Sequence, residues 1–235
     1  MTGEDDIARL RREYARRERS ESVRGRYSLF STAGLFIRQQ RQRALVALLR
    51  RQGIRDLSGL SILEIGCGDG GVLLEFVELG ARPEHCGGVD VLSERIDRAR
   101  RLLPSAGLVV ADAQSLPQES ARADIVLQFT AFSSILDDGV RAKMAGEMLR
   151  VMAPGGLIVW YDFWLNPTNR QTRGVRLREI RGLFPGCRYD VRRVTLAPPL
   201  ARAIAPLSWT AACLVEACGC FNSHLLVGIR RGTER

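Results

Sequence analysis

Histidine, lysine and long apolar runs are all scarce in this chain of 235 residues. Its two histidines, His85 and His224, are too few to complete a metal cluster with the six scattered cysteines. Only Cys218 and Cys220 lie close together, and their spacing matches no common zinc pattern. No structural metal is expected, and the thiols read as free cysteines rather than disulfide partners. No uninterrupted apolar stretch approaches the ~20 residues that span a bilayer. The first residues are acidic and arginine-rich in place of a basic cap and an apolar run, so neither an integral span nor a secretory leader is expected and the anticipated location is cytoplasmic. Of the 35 lysines and arginines only Lys143 is a lysine. The formal charge of +9 would suit phosphate binding, but no aromatic platform or nucleic-acid module accompanies it, so nucleic acid is not the expected partner.

What is present is the balance of an ordinary folded domain, with 46% hydrophobic and 26% charged residues. Residues 1–52 read as an N-terminal helical arm and lid. Asp5 to Arg26 interleaves arginines with glutamates, as a solvated helix does, and Leu35 to Arg50 sets leucines at helical spacing for docking on a sheet. Residues 53–235 then alternate short apolar runs with amphipathic segments. Strands are expected at Ser61–Ile65, Cys86–Val89, Gly107–Ala111, Ala123–Gln128, Leu157–Tyr161, Tyr189–Thr195 and His224–Ile229. Helices are expected from Gly71, over Val140–Val151 with Pro154-Gly155-Gly156 as its stop, and near Arg176–Leu183. The expected fold class is α/β, a Rossmann-like seven-stranded, mostly parallel sheet with helices on both faces and an antiparallel last strand. An apolar insert at 196–220 either roofs a pocket, touches a membrane surface, or packs against the core or a second subunit in a homodimer.

Between the first strand and its helix runs Glu64-Ile65-Gly66-Cys67-Gly68-Asp69-Gly70. Glycines in that context let the backbone approach a ligand closely. Asp90 ends the second strand, where a carboxylate can accept both hydrogen bonds of a ribose diol, and Asp112 ends the third, where it can accept from an adenine amino group. Three strand ends with this chemistry in series point to an adenosine-containing ligand.

These residues resemble the class I S-adenosylmethionine-dependent methyltransferases, whose first motif, E/D-x-G-x-G-x-G, is met by Glu64, Gly66, Gly68 and Gly70. The likeness continues through Gly88-Val89-Asp90, Ala111-Asp112-Ala113 and Leu149-Arg150-Val151-Met152-Ala153-Pro154-Gly155-Gly156, covering roughly residues 60 to 165. The resemblance implies S-adenosylmethionine as cofactor and S-adenosylhomocysteine as product. The loop, with Cys67, would cradle the ligand, Asp90 with Val91 would hold the ribose, Asp112 with Ala113 the adenine, Gln128 with Phe129 the methionine end, and Glu64 would orient the amino group. A nicotinamide dehydrogenase shares part of the glycine pattern, but Glu64 and Asp112 have no routine place in it, and Lys143 follows Gly139 rather than the tyrosine of a Tyr-x-x-x-Lys pair.

Methyl transfer from a sulfonium is an in-line displacement, and an oxygen acceptor must also lose a proton. Asp162, in the aromatic segment after the fifth strand, and His224, opening the last strand, are the candidate bases; each could instead be structural. Tyr27, Phe132, Trp160 and Tyr161 are candidate substrate contacts. The Asn- or Asp-Pro-Pro-aromatic tetrapeptide of base-methylating enzymes is absent at Gln128-Phe129-Thr130-Ala131. The acceptor is therefore expected to be a small molecule or a glycan, methylated at oxygen, with peripheral membrane contact left open. The alternatives are a tRNA methyltransferase and a non-catalytic cofactor-binding scaffold.

Overall fold

The computed structural model describes residues 8–13, 16, 28–166 and 171–232. Residues 8–13 and 16 are helical, in keeping with the arm, while Tyr27 lies outside the described residues.

Seven strands form one sheet: β1 (Ile62–Ile65), β2 (Cys86–Asp90), β3 (Gly107–Val110), β4 (Ala123–Phe129), β5 (Met152–Phe163), β6 (Cys187–Leu196) and β7 (Asn222–Arg231). Their order is β3-β2-β1-β4-β5-β7-β6. The first five are parallel, and β7 runs antiparallel between β5 and β6. The sequence reading of seven strands and an antiparallel last strand is thus borne out. Every residue of β1 is buried, as a parallel strand covered on both faces requires.

The helices are α1 (Thr32–Arg51), α2 (Gly71–Glu78), α3 (Ser93–Leu102), α4 (Asp138–Val151), α5 (Leu177–Leu183), α6 (Pro198–Ile204) and α7 (Trp209–Ala217). Ser31 caps α1 by accepting from the Gly34 N–H at 3.0 Å, and Asp137 caps α4 by accepting from Val140 N–H at 2.9 Å. One sheet face packs α1, α2 and α3 through Leu45, Leu48, Leu73, Phe76 and Ile96. The other packs α4 and α5 through Met144, Met148 and Ile180.

Pro154-Gly155-Gly156 does not form the stop that sequence suggests. Helix α4 ends at Val151, and Met152 already pairs with Ala123 in the sheet. The Pro-Gly-Gly run lies inside β5, where the register slips between Ala123 and Ile125 and Gly155 takes a φ of +71°. Such a bulge tolerates a proline that a regular central strand would not. Helix α3 is not among the helices expected from sequence: charged residues fill most of it, and its narrow apolar stripe buries only Ile96 and Ala99. The apolar insert folds into α6 and α7, which clasp the first half of α1: Phe36, Leu196, Ala201, Ala205 and Ala212 form a separate small core, with Trp209 edge-on to Phe36 at 5.1 Å.

Candidate active site

The glycine loop sits where β1 gives way to α2, at the carboxyl ends of the parallel strands. Gly66, Gly68 and Gly70 have φ of +72°, +53° and +82°, a region that side chains rarely adopt. The loop is tied to β2 through Gly66 and Cys67 N–H, which both donate to the Val89 carbonyl. A Cβ on Gly66 would stand 2.8 Å from the Ala131 Cβ, and one on Gly88 would stand 2.8 Å from the Cys67 sulfur, so both glycines are required by packing. The Cys67 thiol is pushed far up by burial and by the neighbouring Glu64, and is inert. Asp90 is the hub: its Oδ2 accepts from Gly68 N–H and its Oδ1 from Leu92 N–H, both at 2.9 Å. Each oxygen keeps a lone pair for a further donor. Val91, half-buried, follows it. Beyond β3, exposed Asp112 is braced by Gln114, whose backbone and side-chain N–H groups donate to its two oxygens, and Ala113 lies beside it.

The sheet separates the remaining candidates onto two faces. On the α1 and α2 side, the Phe129 and Tyr161 rings stack at 5.4 Å, and His224 lies against Tyr161 at 4.6 Å with the planes 9° apart and against Phe163 at 3.9 Å. Tyr161 shares a 2.9 Å hydrogen bond with Thr195, whose φ of +66° marks local strain at this point. His224 Nδ1 is 3.0 Å from Ser223 Oγ. Burial, reinforced by the Arg41 charge, lowers the imidazole to about 3, so it is neutral; burial pushes the Tyr161 hydroxyl up to about 12. Arg41, from α1, lies 5.5 Å from the Phe129 ring centre and 5.6 Å from that of Tyr161, and pairs with the fully buried Glu75 of α2.

On the opposite face, Asp162 is wholly buried and its oxygens accept from Ser133 N–H at 3.0 Å and Phe163 N–H at 2.8 Å. Burial raises its carboxyl to about 6. The structure therefore does not bring Asp162 and His224 together. Trp160 and Phe132 require correction as substrate contacts. Both are fully buried, packed on each other at 4.6 Å, because alternation along β5 turns Trp160 toward α4 while Tyr161 faces α1. Gln128 points to the same side as Trp160, and its Oε1 accepts from Ala131 N–H at 2.8 Å. His85 is exposed beside a shallow groove at the other end of the sheet, lined also by Ser61, Gly107 and Asp124, away from the strand ends where ligands of doubly wound sheets gather.

Residues 62–156 match a family model described as a methyltransferase domain. The matched segment, which holds Gly66, Gly68, Gly70, Asp90 and Asp112, is similar to a methyltransferase domain. The chain is 34% identical over 110 residues to a dimethylglycine N-methyltransferase of Parasynechococcus marenigrum, covering 44% of this chain and 38% of that protein. It is 31% identical over 161 residues to a ubiquinone biosynthesis O-methyltransferase of Methylocella silvestris, covering 66% of this chain and 60% of the relative. The chain thus spans less than two thirds of the length of either relative. Its fold superposes on an S-adenosylmethionine-dependent methyltransferase from Mesorhizobium loti with a TM-score of 0.57 at 18% identity, over 79% of this chain and 96% of the other.

The strand ends have donors and acceptors that suit S-adenosylmethionine. Glu64 is 1% exposed, its Oε2 has no hydrogen-bond partner, and burial holds its carboxyl well above the usual range. A buried, unpartnered acceptor fits a ligand that carries an ammonium group. Gln128 Nε2 and Arg41 Nε are likewise buried and unpartnered. Sequence reasoning missed Arg41, Glu75 and Thr195. Arg41 and Glu75 look like two more charges on amphipathic helices, and only the packing of α1 across α2 turns them toward the strand ends. Thr195 sits in a strand, and nothing in its sequence context announces a positive φ.

Proposed function

We propose that this chain transfers a methyl group from S-adenosylmethionine to an acidic oxygen, phenolic or carboxylic, of a small-molecule acceptor. When bound, the cofactor supplies an electrophilic methyl on a sulfonium, open to in-line displacement. Asp90 accepts from the ribose hydroxyls, Asp112 with Ala113 borders the adenine, and Glu64 accepts from the amino group, with Gln128 and Phe129 at the methionine end. Gly66, Gly68 and Gly70, with Cys67 and Val91, leave room for the ligand to lie on the backbone.

The observation that carries the oxygen assignment is the neutral His224 stacked on Tyr161 within reach of the Arg41 charge. With Nδ1 donating to Ser223 Oγ, Nε2 is left to accept the acceptor's O–H. An imidazole this weakly basic does not ionise an aliphatic alcohol. As a neutral hydrogen-bond acceptor it orients a hydroxyl that is itself acidic, whose anion the Arg41 guanidinium favours. Phe129 and Tyr161 offer a flat apolar wall to such an acceptor, and Tyr27 is a proposed lid contact. Asp162 is given a structural part, holding the turn at Ser133. Relatives named for ubiquinone and fatty-acid O-methylation are consistent with an oxygen acceptor.

Calorimetric titration with S-adenosylhomocysteine, followed by transfer assays from labelled S-adenosylmethionine to panels of phenols, carboxylic acids, amines and sugars, tests the reading. Binding of the product, with label passing to phenols or acids and lost in His224→Phe, is expected. Tight binding of a nicotinamide dinucleotide without S-adenosylhomocysteine would overturn the cofactor, and transfer confined to amines or sugars would overturn the acceptor.

A further inference from the structure

Large exposed hydrophobic side chains are distributed unevenly over the described residues. Six of the ten, Leu29, Phe30, Leu35, Leu207, Leu214 and Phe221, belong to the turn and first helical residues leading into α1 or to the α6–α7 insert and its exit. These elements are neighbours, joined through Phe36, Trp209 and the small core between them. Phe30 is fully exposed and Leu207 is 86% exposed, so neither is covered by the described residues. Residues 28–37 and 203–215 contain no charged residue.

Helix α7 also inverts the usual pattern of a surface helix. Its outward positions Thr210, Leu214 and Ala217, at i, i+4 and i+7, are uncharged, while its one acid, Glu216, is half-buried and turned toward the Thr195 backbone. A helix solvated on its outer face ordinarily carries charge there. Exposed cations accompany this surface: Arg202 lies on α6 and Arg193, on β6, stands near Cys220 at the exit of the insert.

We propose that the leading turn of α1 and the α6–α7 insert dock on the surface of an anionic lipid bilayer, with Phe30, Leu207 and Leu214 entering the headgroup region and the flanking arginines meeting acidic headgroups. The charge selects this occupant. A chain with net charge +9 is drawn to an anionic surface and repelled by a second copy of itself. Apolar side chains among cations are the composition of an interfacial rather than a spanning segment, and among the described residues no helix is long and apolar enough to cross a membrane. The docking does not depend on the methyl-transfer reading. It does give that reading a route, since Phe221 leads directly into Asn222, Ser223 and His224 at the start of β7.

Co-sedimentation with vesicles of phosphatidylcholine, with and without phosphatidylglycerol, tests it. The perturbation is the charge-neutral variant Phe30→Ser, Leu207→Ser, Leu214→Ser, with Leu102→Ser on α3 as control. The full chain is expected to pellet with the phosphatidylglycerol vesicles. The triple variant should partition at least about tenfold more weakly with an unchanged circular dichroism spectrum and melting temperature, and the control should match the parent. Unchanged partitioning of the triple variant would assign the binding to arginines alone and overturn the proposal. So would absence of vesicle binding by the parent, or a dimer seen by light scattering that the triple variant dissolves without any vesicle binding.

Discussion

His224 and Asp162 should exert opposite and nearly cancelling effects on stability between neutral and mildly acidic pH. His224 is 4% exposed, stacked on Tyr161 and Phe163 and close to Arg41, and its pKa falls from 6.5 to about 3. The unfolded chain therefore binds the proton more tightly, and the stability that the neutral ring contributes is lost as pH falls from 6.5 toward 3. Linkage makes the loss about 2 kcal/mol between neutral pH and about pH 5. Asp162 is raised from 3.8 to about 6, so its contribution has the other sign: it is present when the carboxyl is protonated and lost as pH rises through 6. Over the same interval acidification restores about 1.5 kcal/mol through Asp162. The two together leave a net loss of only about 0.5 kcal/mol, to which the buried Glu64, held well above its usual range, adds a gain on acidification common to parent and variants. Single variants unmask the pair. Relative to the parent, urea unfolding of His224→Phe, which keeps an aromatic ring in the stack, should gain about 2 kcal/mol more on acidification, whereas Asp162→Asn should gain about 1.5 kcal/mol less. Taking each variant's change between the two pH values cancels its pH-independent packing cost. Parallel pH dependence of His224→Phe and the parent would refute the assignment of a neutral, buried imidazole, and with it the choice of His224 as the hydrogen-bond acceptor for the substrate O–H.

Asp90→Ala removes the carboxylate that braces Gly68 and Leu92 N–H and the proposed ribose contacts together; calorimetry should show S-adenosylhomocysteine affinity falling about 100-fold or more, as expected for losing two charge-assisted hydrogen bonds. Gly68→Ala places a Cβ at a φ of +53° and against the Arg95 guanidinium, so cofactor binding should weaken markedly while the melting temperature drops only a few degrees. Ser208 caps α7 by accepting from Ala211 N–H at 3.1 Å, and Ser208→Ala should cost ~1 kcal/mol in denaturant titrations. Phe36→Ala should cost about 3–5 kcal/mol and expose the insert to limited proteolysis ahead of the sheet, because Phe36 is fully buried in the small core that holds α6 and α7 to α1.

How far the sequence could reach follows from which interactions are local. The Glu64 to Gly70 loop, Asp90 and Asp112 are each set by the end of one strand, and their roles depend on turns a few residues long; Asp90 binds Gly68 only because β1 and β2 are parallel neighbours, which the strand-helix alternation already requires. The acceptor side is different. Asp162 and His224 both look like strand-end polar residues, yet Asp162 pairs in register with Leu225 while His224 pairs with Phe163, so alternation sends them to opposite faces. The same one-residue alternation sends Trp160 into the core and brings Tyr161 beside His224. That outcome turns on the antiparallel register of β7 against β5, set by contacts about sixty residues apart, and no local pattern encodes it. Arg41 depends on longer range still: it reaches Phe129 and Tyr161 only because α1 crosses the sheet at the end where Glu75 is buried. Without Arg41, the buried Glu75 would keep only the longer Arg38 contact at 3.8 Å. The pair therefore holds α1 over the strand ends and, in the same contact, supplies a cation that reinforces burial in keeping His224 neutral, which ties the closure of the fold to the chemistry proposed for it.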